Sequence, residues 1–195
     1  MHWSIDQGIF PECFKQALVS PLLKKPFLPK NRFSPYRPVS NLNYLSKILE
    51  KVVTKQNQQH IDGLGLDNSF QSAYRSFHST ELALLTVQND VYIAMERGTV
   101  TALTLLDLSA ACDTINLDIL LGMLSDWFCI GKVALKWIVN YLKNRSQTVN
   151  INGKLSMPLT LQFGVPQGGM LGPLLFILYT TPLSKLLNPR ISITI

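Results

Sequence analysis

One stretch in the middle of the chain constrains the fold most, Thr101-Ala-Leu-Thr-Leu-Leu-Asp-Leu-Ser-Ala-Ala-Cys-Asp-Thr114. It is mainly apolar from Leu103 to Leu106 and then reaches two carboxylates, Asp107 and Asp113. An apolar run of this kind beside β-branched residues predicts a buried strand over residues 100–107. A carboxylate at the end of a buried strand is costly unless a metal ion or a positive group compensates it. Asp107 is therefore either an ordinary strand-end acid or part of a functional site.

Length and cysteine usage limit the class of protein. The chain has 195 residues, of which 47% are hydrophobic, enough for one packed domain with room for a smaller lobe. The cysteines (Cys13, Cys112 and Cys129) are odd in number and lack CxxC spacing, which argues against a zinc module or a disulfide framework. No signal peptide is recognisable, and no apolar run approaches the roughly 20 residues that span a bilayer. We therefore expect an intracellular protein, cytoplasmic or nuclear, without membrane spans.

The net charge of +6 comes entirely from the first third of the chain. Residues 1–60 hold nine Lys or Arg and three acidic residues, whereas the remaining 135 residues hold nine of each sign. A basic segment of this kind favours phosphate-rich partners, such as nucleotides or nucleic acid. A basic surface that is simply solvated is the alternative.

The spacing of apolar residues and the positions of Gly and Pro predict the other elements. A strand over 14–23 should end in a basic turn at Lys24-Lys25-Pro26, because Pro26 cannot continue a ladder. Residues 26–38 should form an extended loop, in which Pro38 keeps Arg37 extended. Further predictions are helices over 42–60, 79–97, 117–128 and 132–143, a hairpin over 147–161 that turns at Asn152-Gly153, and a helix from Pro173 to about 187. The apolar stripe of the fourth helix should face the core (Val133, Trp137, Ile138, Tyr141 and Leu142).

The Gly-rich loop over residues 164–172 is the second candidate for chemistry. Its glycines would let backbone N–H groups approach a ligand, and a helix N-terminus favours an anion. The loop matches neither GxGxxG nor GxxxxGK[ST], so the standard nucleotide motifs are absent. Arg37, held extended before Pro38, has the geometry to bind a phosphate through two hydrogen bonds.

Three stretches together resemble successive motifs of the reverse transcriptases of non-LTR (LINE-type) retrotransposons. They are Tyr36-Arg-Pro-Val-Ser-Asn-Leu-Asn-Tyr-Leu-Ser-Lys-Ile-Leu-Glu-Lys51, Leu105-Leu-Asp-Leu-Ser-Ala-Ala-Cys-Asp-Thr114 and Gly164-Val-Pro-Gln-Gly-Gly-Met-Leu-Gly-Pro-Leu-Leu-Phe176. The resemblance spans about residues 10–187. It implies an α+β fold, with the fingers and part of the palm of a right-hand polymerase and no thumb. Fingers would occupy 1–98 and an incomplete palm 99–195. The implied activity is RNA-directed DNA polymerisation with an RNA template, a DNA primer and dNTPs.

The resemblance also gives individual residues a role. Asp107 is similar to the first metal-binding aspartate of the palm, with the Leu108 carbonyl as a second ligand, and Mg²⁺ is the expected cofactor. Gln167 and Gly168 resemble the loop that packs against the incoming nucleotide and template. Arg37, with either Lys24 or Lys25, resembles the cations that hold the triphosphate. Cys112 stands where the family usually has an aromatic residue that excludes a ribose 2′-OH, so sugar discrimination stays open. Asp113 is expected to be structural, capping the turn toward the next helix.

The largest departure from the family is a missing motif. The aromatic-x-Asp-Asp sequence that supplies the other two palm carboxylates is absent, and no acidic residue follows Asp126. One carboxylate cannot hold two metal ions about 3.5–4 Å apart, so we expect a truncated domain without polymerase activity of its own. Two alternatives remain at this point. The chain is either a non-catalytic nucleic-acid-binding protein that uses its basic segment, or the product of a non-functional remnant reading frame.

Overall fold

The structure, a computed structural model, describes residues 2–32, 34–66, 71–105, 108 and 111–186. The fold combines helices with a mixed β-sheet. In chain order the elements are α1 His2–Gln7, a 3₁₀ turn at Glu12–Phe14, β1 Gln16–Leu23, β2 Tyr36–Asn41, α2 Tyr44–Gly63, α3 Thr80–Glu96, α4 Leu117–Asp126, α5 Lys132–Leu142, β3 Arg145–Ile151, β4 Lys154–Leu155, β5 Leu159–Leu161 and α6 Gly172–Leu186. Among these described elements, no helix has the length and apolar character needed to cross a bilayer.

The sheet joins the beginning of the chain to its later part. Its order is β2-β1-β3-β4, and β5 also pairs with β3. β1 runs antiparallel to β2 and parallel to β3, where Gln16 lies opposite Ser146 and Val19 opposite Val149. The predicted hairpin is confirmed, because Asn152 and Gly153 separate β3 from β4 and have φ of 50° and 82°, as a type I′ turn requires.

All the predicted helices are present, and local signals explain their ends. The Asn43 side chain accepts a hydrogen bond from Leu45 N–H and caps α2, and the Ser79 hydroxyl accepts one from Leu82 N–H and caps α3. The Asn116 side chain caps α4 and accepts the N–H groups of Asp118 and Ile119, at 3.0 and 3.2 Å. The role of Asp113 in the preceding turn stays a prediction.

The core lies between α2, α4, α5 and α6. Trp137 and Tyr141 are buried and stacked, with ring centroids 5.6 Å apart, and Phe10 meets both rings edge-on. The core assignment of the fourth predicted helix is therefore confirmed, except for Val133, which is exposed. α3 differs from these helices because none of its side chains is buried.

Two predictions for strands were wrong. Residues 36–38 belong to β2 rather than to a loop, and Pro38 lies opposite Pro21. Both prolines are tolerated because β2 is an edge strand and β1 pairs with β3 only over Gln16–Val19. Residues 100–105 form no strand and are exposed, Leu105 to 85%. An apolar run becomes a strand only where another strand pairs with it, and none in the described part of the sheet does. Asp107, at the predicted strand end, lies outside the described residues.

Candidate functional site

The three motif stretches meet around one cleft of about 180 Å³. Pro38 and Ser40 of β2 line one side, Asp113 lines another, and Gly164 to Gln167 of the Gly-rich loop line a third. Leu142 and Arg145, where α5 meets β3, also contribute. These side chains are distant in sequence, so the cleft exists only in the folded chain.

The first part of the Gly-rich loop is tied to the segment that follows Asp107. Gly164 N–H donates to the Ile115 carbonyl at 2.9 Å, and Val165 N–H donates to the Cys112 carbonyl at 2.8 Å. Gly164 has a φ of +84°, and a Cβ there would lie 2.8 Å from the Cys112 carbonyl oxygen. Both the left-handed conformation and the close backbone approach require glycine at this position.

The middle of the Gly-rich loop rests on β2. Gly168 has a φ of +97°, and a Cβ there would lie 3.0 Å from the Ser40 carbonyl oxygen. Gln167, the residue before it, is exposed and lines the cleft. The structure thus brings Gln167 and Gly168 to the point where the loop meets β2.

The end of the Gly-rich loop is held by a buried carboxylate from α2. Glu50 has no exposed surface, and its Oε2 accepts hydrogen bonds from Met170 N–H at 2.7 Å and Leu171 N–H at 3.5 Å. Its Oε1 accepts a hydrogen bond from the Ser46 hydroxyl at 2.8 Å. These contacts satisfy backbone N–H groups at the start of α6, where a negative charge is favourable.

Arg145 supports the inner wall of the cleft. Its side chain is 2% exposed and donates to the carbonyls of Tyr141 and Phe14, at 3.0 and 3.4 Å. The guanidinium also stacks over the Tyr141 and Phe10 rings, 5.0 and 5.7 Å from their centroids. Burial lowers the pKa of Arg145, while the charge of nearby Glu50 acts in the opposite direction. Arg145 therefore packs the inner wall rather than reaching into solvent.

The predicted phosphate-binding cations lie near one end of the β1–β2 pair, outside the cleft lining. Arg37 is exposed and sits opposite Leu22. Lys24 follows β1, where its N–H donates to the Pro35 carbonyl, and the Lys25 ammonium lies 5.8 Å from the Phe27 ring centroid. Side chains alternate along a strand, so Arg37 points away from the face that presents Pro38 and Ser40. None of these three cations lines the cleft that Gln167 lines, although Arg37 is next to Pro38, which does.

Cys112 and Asp113 lie next to the first part of the Gly-rich loop. Burial raises the pKa of the Cys112 thiol, and the negative charge of Asp113 raises it further. Burial also raises the pKa of Asp113. Asp113, which we expected to be only structural, is the one acidic side chain among the described residues that line the cleft.

The described residues do not by themselves fit a two-metal site. No group of three or more His, Cys, Asp or Glu side chains among them could hold a metal ion. Leu108, the predicted carbonyl ligand, is exposed and lies in no regular element, and its neighbour Asp107 is outside the described residues. The metal assignment of these two residues stays a prediction.

The sequence motifs indicated no role for Glu50, Ser40 or Arg145. Glu50 stood inside a quoted motif, and a signal was available there. Polar residues recur along α2 at the spacing of one buried face (Ser46, Glu50 and Asn57), among the apolar Leu49 and Val53. A polar residue that falls on an apolar face must find a partner, and for Glu50 that partner is the loop.

Comparison with known proteins connects these features. A family model described as reverse transcriptase (RNA-dependent DNA polymerase) matches residues 28–195. The chain is 26% identical over 174 residues to a probable RNA-directed DNA polymerase from transposon BS of Drosophila melanogaster. It is 27% identical over 176 residues to the corresponding protein of the X-element, and 29% identical over 178 residues to that of the mobile element jockey, both from the same organism. These matches cover 88–91% of this chain but only 18–19% of each relative.

Proposed function

This chain belongs to the reverse transcriptase (RNA-dependent DNA polymerase) family, and we propose that it forms the nucleotide- and template-binding part of an RNA-directed DNA polymerase domain. Membership confirms the resemblance to reverse transcriptases of non-LTR retrotransposons on which our sequence analysis rested. The observation that carries the proposal is the cleft, because Ser40, Asp113 and Gln167 line it together although they come from three separate motifs.

We assign the roles within this domain as follows. Residues 1–98 form the fingers and residues 99–195 part of the palm, so that the cleft lies where the two subdomains meet. Gln167 and Gly168 pack against the nucleotide and template, and Arg37 with Lys24 or Lys25 contacts the triphosphate. The half-buried Cys112 faces the sugar. We retain an intracellular location, which the three free cysteines support.

The metal role falls to Asp107 with the Leu108 carbonyl. Mg²⁺ bound there would neutralise phosphate charge, which is the main requirement of phosphoryl transfer. The 195 residues carry no acid after Asp126 to complete a two-metal site. We therefore propose that this polypeptide binds substrates but does not extend a primer by itself.

A binding experiment tests the first half of this proposal. Fluorescence anisotropy with a labelled RNA–DNA primer-template, measured between about 50 and 200 mM salt, should show strongly salt-dependent binding. Replacing Lys24, Lys25 and Arg37 together with Ala should lower the slope of log K against log salt by about two, if Arg37 and one lysine contact phosphates. A matched triple variant of Lys132, Lys143 and Lys154 should change it less. Equal effects of the two triple variants would argue against a specific phosphate site.

Primer extension tests the second half. An RNA template, an annealed DNA primer, dNTPs and Mg²⁺ or Mn²⁺ should give no extension product with the 195-residue chain. Robust incorporation that is lost in Asp107→Ala would overturn the proposed lack of activity.

The concentration of positive charge in residues 1–60 favours a second candidate, a nucleic-acid-binding protein that takes no nucleotide. A fluorescent dATP analogue discriminates between the two candidates. Saturable binding that competes with unlabelled dATP supports the polymerase-type cleft. Primer-template binding without any dATP binding supports the second candidate.

A further inference from the structure

Glu50 is a carboxylate that the fold buries completely, and burial of an ion needs compensation. Removing a carboxylate from water costs several kcal/mol unless hydrogen bonds replace its hydration. Glu50 obtains this compensation from the Ser46 hydroxyl and from the backbone N–H groups of Met170 and Leu171. The last two of these partners belong to the end of the Gly-rich loop, 120 residues away in the sequence. The carboxylate therefore connects α2 to that loop.

The shape of the loop is adapted to this contact. A Cβ at Gly169 would lie 2.5 Å from Glu50 Oε2 and 3.0 Å from the Tyr141 hydroxyl. The absence of a side chain at Gly169 thus allows the backbone to approach the carboxylate closely. Gly169 N–H donates to the Pro166 carbonyl at 3.2 Å, which closes a turn around the residues that line the cleft.

Contacts at three places hold the Gly-rich loop, and their strengths differ. At the beginning, Gly164 and Val165 donate backbone hydrogen bonds to Ile115 and Cys112, and in the middle Gly168 packs closely against Ser40 of β2. At the end, two N–H groups bond to the carboxylate of Glu50. Hydrogen bonds to an ionised acceptor are roughly twice as strong as neutral ones, so Glu50 is the strongest of the three restraints.

We propose that Glu50 is a positioning residue, whose carboxylate fixes the Gly-rich loop in the conformation that shapes the cleft and so sets its affinity for a nucleotide. The nucleotide part of this inference rests on the proposed function. Glu50 itself does not line the cleft, and its effect passes through Met170 and Leu171 to Gln167 and Gly168.

Two substitutions test the role of Glu50. Glu50→Met keeps a similar volume but removes both acceptor oxygens, whereas Glu50→Gln keeps one. The matched control is Asn57→Leu, which lies about two turns further along α2 and is also buried, but whose side chain donates to the Val53 carbonyl of its own helix. The measurements are amide hydrogen exchange at Met170 and Leu171, and the affinity for a fluorescent dATP analogue.

We expect exchange at Met170 and Leu171 to become about tenfold faster in Glu50→Met, and dATP affinity to fall by a similar factor. Glu50→Gln should give intermediate values, and it carries the test if Glu50→Met does not fold. Asn57→Leu should leave both measurements near wild type, whatever its effect on melting temperature. Unchanged exchange in both Glu50 variants would overturn the inference.

The two hypotheses fail in different ways. If the wild type binds dATP and the Glu50 variants bind it equally well despite faster exchange, the positioning role is wrong and the proposed function stands. If the wild type binds no dATP, the proposed nucleotide cleft is wrong and the nucleotide part of this inference falls with it. In that case, amide exchange at Met170 and Leu171 that is slow in the wild type and fast in the Glu50 variants would support only the connection between α2 and the loop.

Discussion

Gly169→Ala should destabilise the chain because the added methyl group meets a fixed carboxylate. The new Cβ would lie 2.5 Å from Glu50 Oε2, 3.0 Å from the Tyr141 hydroxyl and 3.3 Å from the Pro166 carbonyl. Gly169 does not have a left-handed φ, so the substitution adds little backbone strain. The change in the free energy of unfolding therefore reports on the clash with Glu50. Glu50 is fully buried and cannot rotate into solvent, so relief of the clash must lengthen its bond to Met170.

The magnitude follows from that bond. A hydrogen bond to a charged group contributes about 1.5–3 kcal/mol, so we expect a loss of about 2 kcal/mol in the free energy of unfolding. For a chain of this size that corresponds to a decrease of about 4–8 °C in melting temperature. Urea denaturation followed by far-UV circular dichroism measures the change, with a matched substitution at Gly122 as the control. Nothing lies within 4 Å of a Cβ added at Gly122, which is inside α4, so Gly122→Ala should stabilise by about 0.5–1 kcal/mol.

A double-mutant cycle shows whether the carboxylate is the cause. In a Glu50→Ala background the methyl group has room, and Gly169→Ala should then cost about 1–2 kcal/mol less than it does in the wild type. If Gly169→Ala costs nothing in the wild type, or costs the same in both backgrounds, the reasoning about this contact is refuted.

Three further predictions concern single residues. The first concerns the buried Tyr141 hydroxyl, which interacts with the Glu50 carboxylate, and it is measured by urea denaturation of the wild type and of Tyr141→Phe as a function of pH. Burial, reinforced by the charge of Glu50, raises the pKa of Tyr141 well above 10. Above pH 10 the tyrosine ionises more readily in the unfolded chain than in the folded one, so the wild type should lose stability with rising pH more steeply than Tyr141→Phe. Parallel pH profiles of the two proteins would contradict this. Phe77 is 99% exposed at a φ of 63°, so Phe77→Gly should raise the free energy of unfolding, measured by urea denaturation, by about 0.5–1 kcal/mol. Phe77→Ala keeps the strained φ and should not. Iodoacetamide should alkylate the exposed Cys13 and Cys129 faster than Cys112, because the raised pKa of Cys112 leaves less of the reactive thiolate. Peptide mass spectrometry measures the three alkylation rates. Equal rates in the folded chain would refute the prediction, and the unfolded chain in urea, where the rates should be equal, is the control.

The elements that sequence analysis predicted well are those with local causes. Asn43 and Ser79 cap their own helices, and Asn152-Gly153 supplies the two positive φ values of its own turn. The failures depended on distant partners. β2 becomes a strand because β1 pairs with it, although we expected residues 36–38 to lie in an extended loop. Residues 100–105 have the composition of a strand but no described partner to pair with.

The same distinction applies to the site. The motifs identified Gln167 and Gly168; Gln167 lines the cleft, and Gly168 lies beside it against the Ser40 carbonyl. Glu50 was missed because its role depends on a contact across 120 residues that no local pattern encodes. The helical spacing of Ser46, Glu50 and Asn57 indicated a buried polar face, but it did not identify what would satisfy that face.

Under the proposed function, the positions of the candidate residues predict two separable contributions to nucleotide binding. Arg37 lies on the face of β2 opposite to Pro38 and Ser40, so it can supply charge near the cleft without shaping its wall. Glu50 shapes the wall but is fully buried and reaches no ligand. Under the proposed function, loss of Arg37 should therefore weaken binding in a salt-dependent way, because it removes a phosphate contact. Loss of the Glu50 carboxylate should weaken it at every salt concentration alike, because a distorted loop is not restored by changing the ionic atmosphere.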